Sequence, residues 1–230
     1  MPSCLKVAVL SPRLKKSSLD HEEFMNFRPM SNLKFVSKAI EKSVARQVNT
    51  HVNQENLNEI FQSAYKPYHS TETALTRVHN DVMRALDSQQ LVILLLLDLS
   101  AAFDTVDHTI LMSRLSRRFG FKDGVLRWFS SYLSERKHLV SVNGGRSTLR
   151  DMPFGLPQGS VLGPVLFLLY TAPIADVIRK HNIGFHLYAD DTQIYVTFKS
   201  SVAGEAELAR TRIEACVCEI DKWMLQNTVC

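Results

Sequence analysis

Seven consecutive apolar residues, Leu91 to Leu97, are followed directly by Asp98. A run of this length is typical of a strand buried on both faces, although a turn of buried helix has the same pattern. It is far shorter than the roughly 20 residues that a membrane-spanning helix needs. Because helical patterns lie on both sides of it, we expect an α/β fold in which Asp98 ends a buried strand.

Two amphipathic helices are predicted before this strand, whereas the stretch up to about Pro29 has no period and is expected to be irregular. Ser70 is suited to cap the second helix. Apolar residues at helical spacing predict the inward faces, which are Val36, Ile40, Val44, Val48 and Val52 in the first helix and Ala74, Leu75, Val78, Val82 and Leu86 in the second. We therefore divide the chain into residues 1–30, 31–90 and 91–230.

The part after Asp98 alternates between helical and strand patterns. Asn143-Gly-Gly145 favours a hairpin, and Pro157-Gln-Gly159 breaks the chain before a helix. The predicted helices are 107–119, 123–133, 162–180 and 205–226, and the predicted strands are 138–142, 147–152, 184–188 and 192–198.

The net charge of +4 is modest, but residues 113–150 hold nine Lys and Arg against two acidic residues. Such a segment is suited to a polyanion such as nucleic acid, and it is equally typical of solvated helix faces. The basic residues are Arg114, Arg117, Arg118, Lys122, Arg127, Arg136, Lys137, Arg146 and Arg150.

The four cysteines lack the paired C-x-x-C spacing of a structural zinc site. With no secretory leader or membrane span in the sequence, we expect reduced thiols and a cytoplasmic or nuclear location.

Three aspartates stand where strands are predicted to end: Asp98, and the adjacent Asp190 and Asp191. Neighbouring carboxylates resist joint ionisation unless a cation lies between them. Mg²⁺ prefers oxygen ligands of this kind, and two ions about 3.5–4 Å apart can hold the attacking and leaving oxygens of phosphoryl transfer. If Asp98 is left out of account, Asp190 and Asp191 have an alternative interpretation, as one residue of a hairpin turn and one solvated neighbour.

Three sequence words resemble the palm motifs of reverse transcriptases in order and spacing. They are Asp98-Leu-Ser-Ala-Ala-Phe103, the segment from Gly155 to Pro164, and Tyr188-Ala-Asp-Asp191. Flanking words, such as Phe27-Arg-Pro-Met-Ser31, are similar to the non-LTR, LINE-type retrotransposon branch, and the similarity extends over residues 15–226.

The resemblance implies a right-hand polymerase, with fingers at residues 31–90 and a palm at 91–230. The palm would be a ferredoxin-like antiparallel sheet backed by helices. The implied activity is RNA-directed DNA polymerisation, a nucleotidyl transfer of dNTPs onto a primer 3′-hydroxyl with two Mg²⁺, or Mn²⁺ in their place. The implied partners are an RNA template and a DNA primer, and no membrane.

The same resemblance implies roles for individual residues. Asp98, Asp190, Asp191 and the main-chain carbonyl of Leu99 would hold the metals. Phe103 would be the aromatic gate that excludes a 2′-hydroxyl, although an ordinary core Phe is the alternative. Gln158 and Gly159 would line the dNTP and the template.

Lys66 matches the triphosphate-binding Arg of the usual word Gln-Ser-Gly-Phe-Arg, which reads Gln62-Ser-Ala-Tyr-Lys66 here. Lysine keeps the charge but lacks the bidentate fork of arginine, and Ala64 would be strained if its φ were positive.

Two other functions stay open at this point. The resemblance implies a thumb beyond Trp223-Met224, and we expect none in this sequence, so a catalytically inert retroelement remnant with residual nucleic-acid binding is one alternative. A metal-dependent phosphohydrolase is the other, but it would leave Phe103 and the Gly155–Pro164 segment without a purpose. We expect Asp98 to neighbour the Tyr188–Asp191 hairpin, Asp107 to cap a helix, and Asp104 and His108 to be structural.

Overall fold

The computed structural model describes residues 1–99 and 102–227. Ser100 and Ala101, which belong to the predicted motif after Asp98, lie outside the described residues, as do the last three residues. In chain order, the helices and strands are β1 (Val7–Leu14), β2 (Phe27–Asn32), α1 (Phe35–Gln54), α2 (Thr71–Asp87), β3 (Leu91–Asp98), α3 (Ala102–Thr105), α4 (His108–Arg117), α5 (Asp123–Leu133), β4 (Lys137–Val142), β5 (Gly145–Arg146), β6 (Arg150–Asp151), α6 (Gly163–Thr171), α7 (Pro173–Lys180), β7 (Gly184–Tyr188), β8 (Asp191–Phe198) and α8 (Glu205–Gln226).

By its contacts the chain divides into two compact units. The first unit comprises Met1–Leu57 and Phe103–Leu169, and the second comprises Asn58–Ala102 and Tyr170–Cys230. The boundaries inferred from the sequence, at residues 30 and 90, separate the parts that the resemblance implies and stay predictions.

The first unit contains a mixed sheet in the order β2-β1-β4-β5, with β6 also paired to β4. Strands β1 and β4 are parallel, and the other pairs are antiparallel. Asn143 and Gly144 have positive φ, as a tight hairpin turn requires, so the predicted turn is confirmed. The continuous returning strand predicted at 147–152 is wrong, because the chain pairs with β4 only at Gly145–Arg146 and again at Arg150–Asp151. The expectation of an irregular N-terminal stretch is wrong, because β1 pairs with β2 and with β4, a strand more than 120 residues further along the chain.

The second unit contains a three-stranded antiparallel sheet in the order β3-β8-β7. Helix α2 packs on β7 and β3, α8 packs on β8, and α7 packs on α8. Ile194 and Val196 of β8 are buried, whereas their neighbours along the strand are less so, which is the period-2 pattern of a sheet with one core face. The predicted α/β class, with an antiparallel sheet backed by helices, is confirmed.

The prediction that Leu91–Leu97 forms a strand is confirmed, but the prediction that it is buried on both faces is wrong. Among the described strands β3 pairs with β8 alone, so it lies at the edge of its sheet. Leu96 is 71% exposed, and Leu91 and Leu94 are exposed as well. An uninterrupted apolar run indicates a strand, but it carries no information about how many neighbours that strand has.

Two predicted helix faces also need correction. In α1 the buried face is Ser37, Glu41, Ala45, Val48 and Val52, while Val36 is 54% exposed. In α2, Ala74 and Val78 are buried, whereas Leu75 and Leu86 are exposed. The helical period is therefore predicted correctly in both helices. The buried face differs from the predicted one because it is set by the elements that pack against each helix.

The helix predicted over 162–180 is divided into α6 and α7 at Pro173, whose ring and missing N–H interrupt the helical hydrogen bonds. No helix in the described part of the chain is long and apolar enough to cross a membrane.

Candidate active site

The predicted carboxylates meet at one end of the three-stranded sheet. Asp98, the last residue of β3, lies directly opposite Asp191, the first residue of β8. Directly opposed residues of antiparallel strands project from the same face, with Cβ atoms about 4.5–5.5 Å apart. The N–H of Leu99 donates to the main-chain oxygen of Asp190 at 3.2 Å, which fixes the end of β3 to the turn. The expected neighbourhood of Asp98 and the hairpin is therefore confirmed.

The turn itself consists of Ala189 and Asp190, because Tyr188 and Asp191 form the last pair of the β7–β8 ladder. Ala189 has φ +55°, in the left-handed region that side chains other than glycine adopt at a cost of about 1–3 kcal/mol. Its N–H donates to the Oε1 atom of Gln62 at 3.1 Å. The residue before Asp190 is thus held in an uncommon conformation by a specific side chain.

The local charges favour a cation at this end of the sheet. Partial burial and the negative charges of Asp190 and Asp98 raise the pKa of Asp191. A shallow cavity of about 230 Å³ adjoins Asp98 and Asp191, and its other lining residues are Leu96, Leu97, Thr192 and Gln193. Mutual repulsion among carboxylates of this kind is relieved by a divalent cation, so residue type and charge fit a metal. Within the described residues, however, no three acidic, His or Cys side chains are already grouped closely enough to hold one.

The loop from Gln62 to Lys66 lies in the same unit, and the ammonium group of its lysine is bound to the backbone of Glu59. Lys66 Nζ donates to the main-chain oxygen of Glu59 at 2.6 Å, and burial lowers the Lys66 pKa. Positive φ occurs at Tyr65 and Tyr68 and not at Ala64, so the strain considered for Ala64 is absent. Burial and the charges of Asp190 and Tyr188 raise the pKa of the Tyr65 hydroxyl, which places that side chain in the electrostatic field of the turn.

Phe103, Gln158 and Gly159 belong to the first unit, where each has its own packing or hydrogen-bond partners. The Phe103 ring stacks on Phe167 with centroids 4.3 Å apart. Gln158 Nε2 donates to Asp104 Oδ2 at 2.9 Å, and the Gln158 main-chain oxygen accepts from the Ser31 N–H at 2.7 Å. Gly159 has φ +95°, a conformation that suits glycine.

The loop that carries Gln158 is tied to the segment after Phe103. Gly155 has φ +79°, and a Cβ atom there would lie 2.7 Å from the Asp104 oxygen, so only glycine fits. His108 Nε2 bonds the Gly155 oxygen at 2.8 Å, and Asp107 accepts from the N–H groups of Thr109 and Ile110. The expectations that Asp107 caps a helix and that Asp104 and His108 have structural contacts are confirmed.

Gln62 and Glu41 are buried polar side chains for which the sequence predicts no role of their own. Gln62 stood out only as part of the word around Lys66, and Glu41 lies outside the predicted face of α1. Glu41 has no exposed surface, and its Oε2 atom accepts from the N–H groups of Val161 and Leu162 just before α6. The only available signal was a polar residue at helical spacing from buried neighbours, which does not reveal a distant backbone partner.

One member of the basic segment is also reassigned. Arg136 is buried, with its guanidinium stacked on Tyr132 and NH1 donating to the Tyr132 oxygen at 2.9 Å. It therefore belongs to the core of the first unit and is not available to a polyanion.

Comparison with known proteins agrees with this geometry. The family model described as reverse transcriptase (RNA-dependent DNA polymerase) matches residues 14–228. The chain belongs to the reverse transcriptase family. Members of this family use divalent metal ions, in accord with the charges at the end of β3.

Relatives of similar sequence are polymerases of mobile elements. The probable RNA-directed DNA polymerase from transposon BS of Drosophila melanogaster is 30% identical over 199 residues, which cover 84% of this chain and 21% of that protein. The RNA-directed DNA polymerase from the mobile element jockey of the same species is 30% identical over 189 residues, covering 80% and 20%. These relatives support the non-LTR type inferred from the motifs, and this reverse transcriptase domain spans about a fifth of their length.

Solved structures support the fold. Telomerase from Candida tropicalis, in complex with a TWJ fragment of telomeric RNA, has a TM-score of 0.65 and 13% identity, covering 95% of this chain and 39% of that one. Apo telomerase from the same organism, truncated from its C-terminal domain, has a TM-score of 0.62 and 12% identity over 92% and 47%. At this identity the likeness shows the right-hand polymerase fold alone.

Proposed function

We propose that this chain is the fingers and palm core of an RNA-directed DNA polymerase of a retrotransposon, which adds dNTPs to a primer 3′-hydroxyl on an RNA template. The observation that carries the proposal is the register that sets Asp98 opposite Asp191, with Asp190 tied to Leu99 beside them. A phosphoryl-transfer site needs fixed acidic groups and little covalent chemistry by the protein, and this arrangement supplies such groups.

In this proposal Asp98, Asp190, Asp191 and the carbonyl of Leu99 hold two Mg²⁺. When bound, the metals stabilise the charge that develops on the reacting phosphate and activate the hydroxyl. The carboxylates contribute fixed negative charge, and the turn supplies their orientation. Phe103 excludes the 2′-hydroxyl, Gln158 and Gly159 line the nucleotide and template, and Lys66 neutralises triphosphate charge after leaving the Glu59 carbonyl, all by their match to the family motifs.

A second candidate function is nucleic-acid binding without catalysis. The bond between Lys66 and the Glu59 oxygen favours it, because the ammonium is engaged away from any substrate. In this alternative the exposed basic side chains of residues 113–150 would bind the phosphate backbone, and no nucleotide would be added.

Primer extension distinguishes the two. Purified chain, poly(rA)·oligo(dT), Mg²⁺ and dTTP should give extended primer, and Asp190→Asn should lower extension about 1,000-fold or more, since a charged group that acts on the reacting centre is removed. Asp87→Asn, an exposed aspartate at the end of α2, is the matched control and should extend as the wild type does. Equal extension by Asp190→Asn would contradict the proposal. No extension by any folded variant, together with RNA binding that weakens with salt, would establish the second function.

A further inference from the structure

Gln62 lies in a short segment that extends the three-stranded sheet. The N–H of Leu187 in β7 donates to the Phe61 oxygen at 2.8 Å, and the N–H of Ser63 donates to the Leu187 oxygen at 3.0 Å. Gln62 and Leu187 therefore form a parallel bridge. The backbone of this loop is thus fixed to β7 directly before the acidic turn.

The Gln62 side chain then bridges this loop and the turn. It is only 5% exposed, and its Oε1 atom accepts from the Ala64 N–H at 2.9 Å and from the Ala189 N–H at 3.1 Å. A side-chain carbonyl has two lone pairs, so both are used. One oxygen atom consequently holds a residue of the loop that carries Lys66 and the residue that precedes Asp190.

The turn is held from the other side as well. The Leu99 N–H bonds the main-chain oxygen of Asp190, so the two-residue turn is fixed at Ala189 by Gln62 and at Asp190 by the end of β3. Ala189 is buried and has φ +55°. A buried N–H that loses its acceptor is costly, and a strained conformation persists only where its surroundings impose it. Without the Gln62 side chain, we expect the turn to relax from the left-handed conformation at Ala189.

We infer that Gln62 is a positioning residue for the acidic turn, whose side-chain carbonyl holds Ala189 in its left-handed conformation and thereby sets the direction of Asp190. The same contact couples the turn to the Lys66 loop, so the two parts of the site move together. The inference rests on the proposed role of Asp190 in metal binding, and it adds a residue that contacts neither metal nor substrate.

Two variants of Gln62 and one control variant test the role of the Gln62 side-chain carbonyl. Gln62→Met keeps the side-chain length and removes the acceptor, whereas Gln62→Glu keeps both acceptor positions. Gln54→Met, at the exposed end of α1, is the control for replacing a glutamine by methionine. Circular dichroism and thermal unfolding establish that each variant is folded.

The first measurement needs no catalysis. Both N–H donors belong to alanines, so a sample labelled with ¹⁵N-alanine reports both contacts by amide hydrogen exchange. In Gln62→Met we expect Ala64 and Ala189 to exchange at least about tenfold faster, as loss of one hydrogen bond allows. In Gln62→Glu both amides keep an acceptor, so their protection should stay closer to the wild type than in Gln62→Met, and in Gln54→Met it should match the wild type. An Ala189 amide that is unprotected in the wild-type protein would overturn the inference without any variant.

The second measurement tests the consequence for Asp190. Binding of Mn²⁺ alone, followed by electron paramagnetic resonance, should weaken about tenfold in Gln62→Met and stay unchanged in Gln54→Met. With an active chain, the Mg²⁺ concentration for half-maximal extension should rise in parallel. Simple loss of folded protein would lower kcat but would leave that Mg²⁺ concentration unchanged. Unchanged Mn²⁺ affinity in a Gln62→Met protein that has lost Ala189 protection would overturn the positioning role.

Asp190→Asn separates this inference from the proposed function. If Asp190→Asn binds Mn²⁺ as the wild type does, the metal role of Asp190 fails, while the amide measurement still decides whether Gln62 holds the turn. If Asp190→Asn loses Mn²⁺ and Gln62→Met does not, the metal role stands and the role of Gln62 fails.

Discussion

Glu41 shows how a single buried carboxylate can organise a distant loop. It accepts hydrogen bonds from Ser37 in its own helix and from the N–H groups of Val161 and Leu162, directly before α6. Amides at a helix start have no intrahelical partner, and the helix dipole favours negative charge there. Glu41 therefore stabilises the end of the loop that carries Gln158 and Gly159.

Removal of this carboxylate should destabilise the protein strongly. We expect Glu41→Ala to lower the free energy of unfolding by about 2–4 kcal/mol, because buried N–H groups lose their acceptor. Glu41→Gln should cost less, since an amide carbonyl can still accept. Urea unfolding measures the difference, with the exposed Glu55→Ala as control, expected within about 0.5 kcal/mol of wild type. Equal stability of Glu41→Ala and Glu55→Ala would contradict this account.

His186 predicts a pH dependence of stability. It is buried in β7 with Nε2 bonded to Ser63 Oγ at 2.9 Å, and burial, followed by the positive charge of Arg77, lowers its pKa. A histidine with a lowered folded pKa contributes stability above its unfolded pKa of about 6.5, and this contribution is lost as the pH falls through the folded pKa. Urea unfolding at pH 7.5 and 5.0 should show a smaller loss in His186→Gln than in the wild type. The same loss in both proteins would refute the prediction.

The site residues that the sequence predicts depend on local features of the chain, whereas those it does not predict act through contacts that are distant in the sequence. Asp98, Asp190 and Asp191 were recognisable because strand ends and a tight turn are local features of the chain. Gln62 and Glu41 act through backbone groups more than 100 residues away, at Ala189 and Val161. No local period or propensity encodes such a contact, so the structure was needed to find them.

At the scale of elements, the segment from Gly155 to α6 depends on backbone shape. Gly155 and Gly144 both have φ near +80°, but only Gly155 is crowded by another backbone, that of Asp104. The two glycines therefore allow the cost of a positive φ to be separated from the cost of a clash.

We expect Gly144→Ala to lower the free energy of unfolding by about 1–2 kcal/mol, the cost of a left-handed alanine. Gly155→Ala should cost at least about 2 kcal/mol more, because its Cβ would lie 2.7 Å from the Asp104 oxygen and the loop must shift. Chemical unfolding of both variants provides the comparison. Similar costs at the two positions would show that the loop moves away freely.

Whole elements were predictable to the extent that their own pattern defines them. The β7–β8 hairpin and α8 follow directly from alternation and helical spacing, and α8 has the predicted bounds Glu205–Gln226. Strand β1 was missed because it is ordered by pairing with β2 and with β4, which lies far along the chain, and strand pairing is not encoded in the period of the strand itself. The position of β3 at an edge was also missed, since strand order is set by pairing and not by hydrophobicity.

At the scale of the whole molecule, charge is the property most open to measurement. The exposed basic residues between 113 and 150 include Arg146 and Arg150, whereas Arg136 lies in the core. Neutralising phosphates releases counterions, so the logarithm of affinity falls with the logarithm of salt concentration by about 0.9 per phosphate of a duplex.

If both side chains contact a primer–template, the double variant Arg146→Gln, Arg150→Gln should reduce this slope by about 2. Fluorescence anisotropy over a range of KCl concentrations measures it. Arg210→Gln is the control, because Arg210 already pairs with Glu207 and Glu214 on α8. An unchanged slope in the double variant would exclude these two residues from the nucleic-acid contact.

The edge position of β3 has a practical consequence for handling the protein. Its outer backbone groups have no partner among the described strands, and Leu91, Leu94 and Leu96 are exposed along it. A strand with both properties is a template for intermolecular pairing, which natural proteins discourage with charged side chains. We expect concentrated samples to aggregate through this strand, and a lysine in place of Leu96 to extend their useful lifetime in storage.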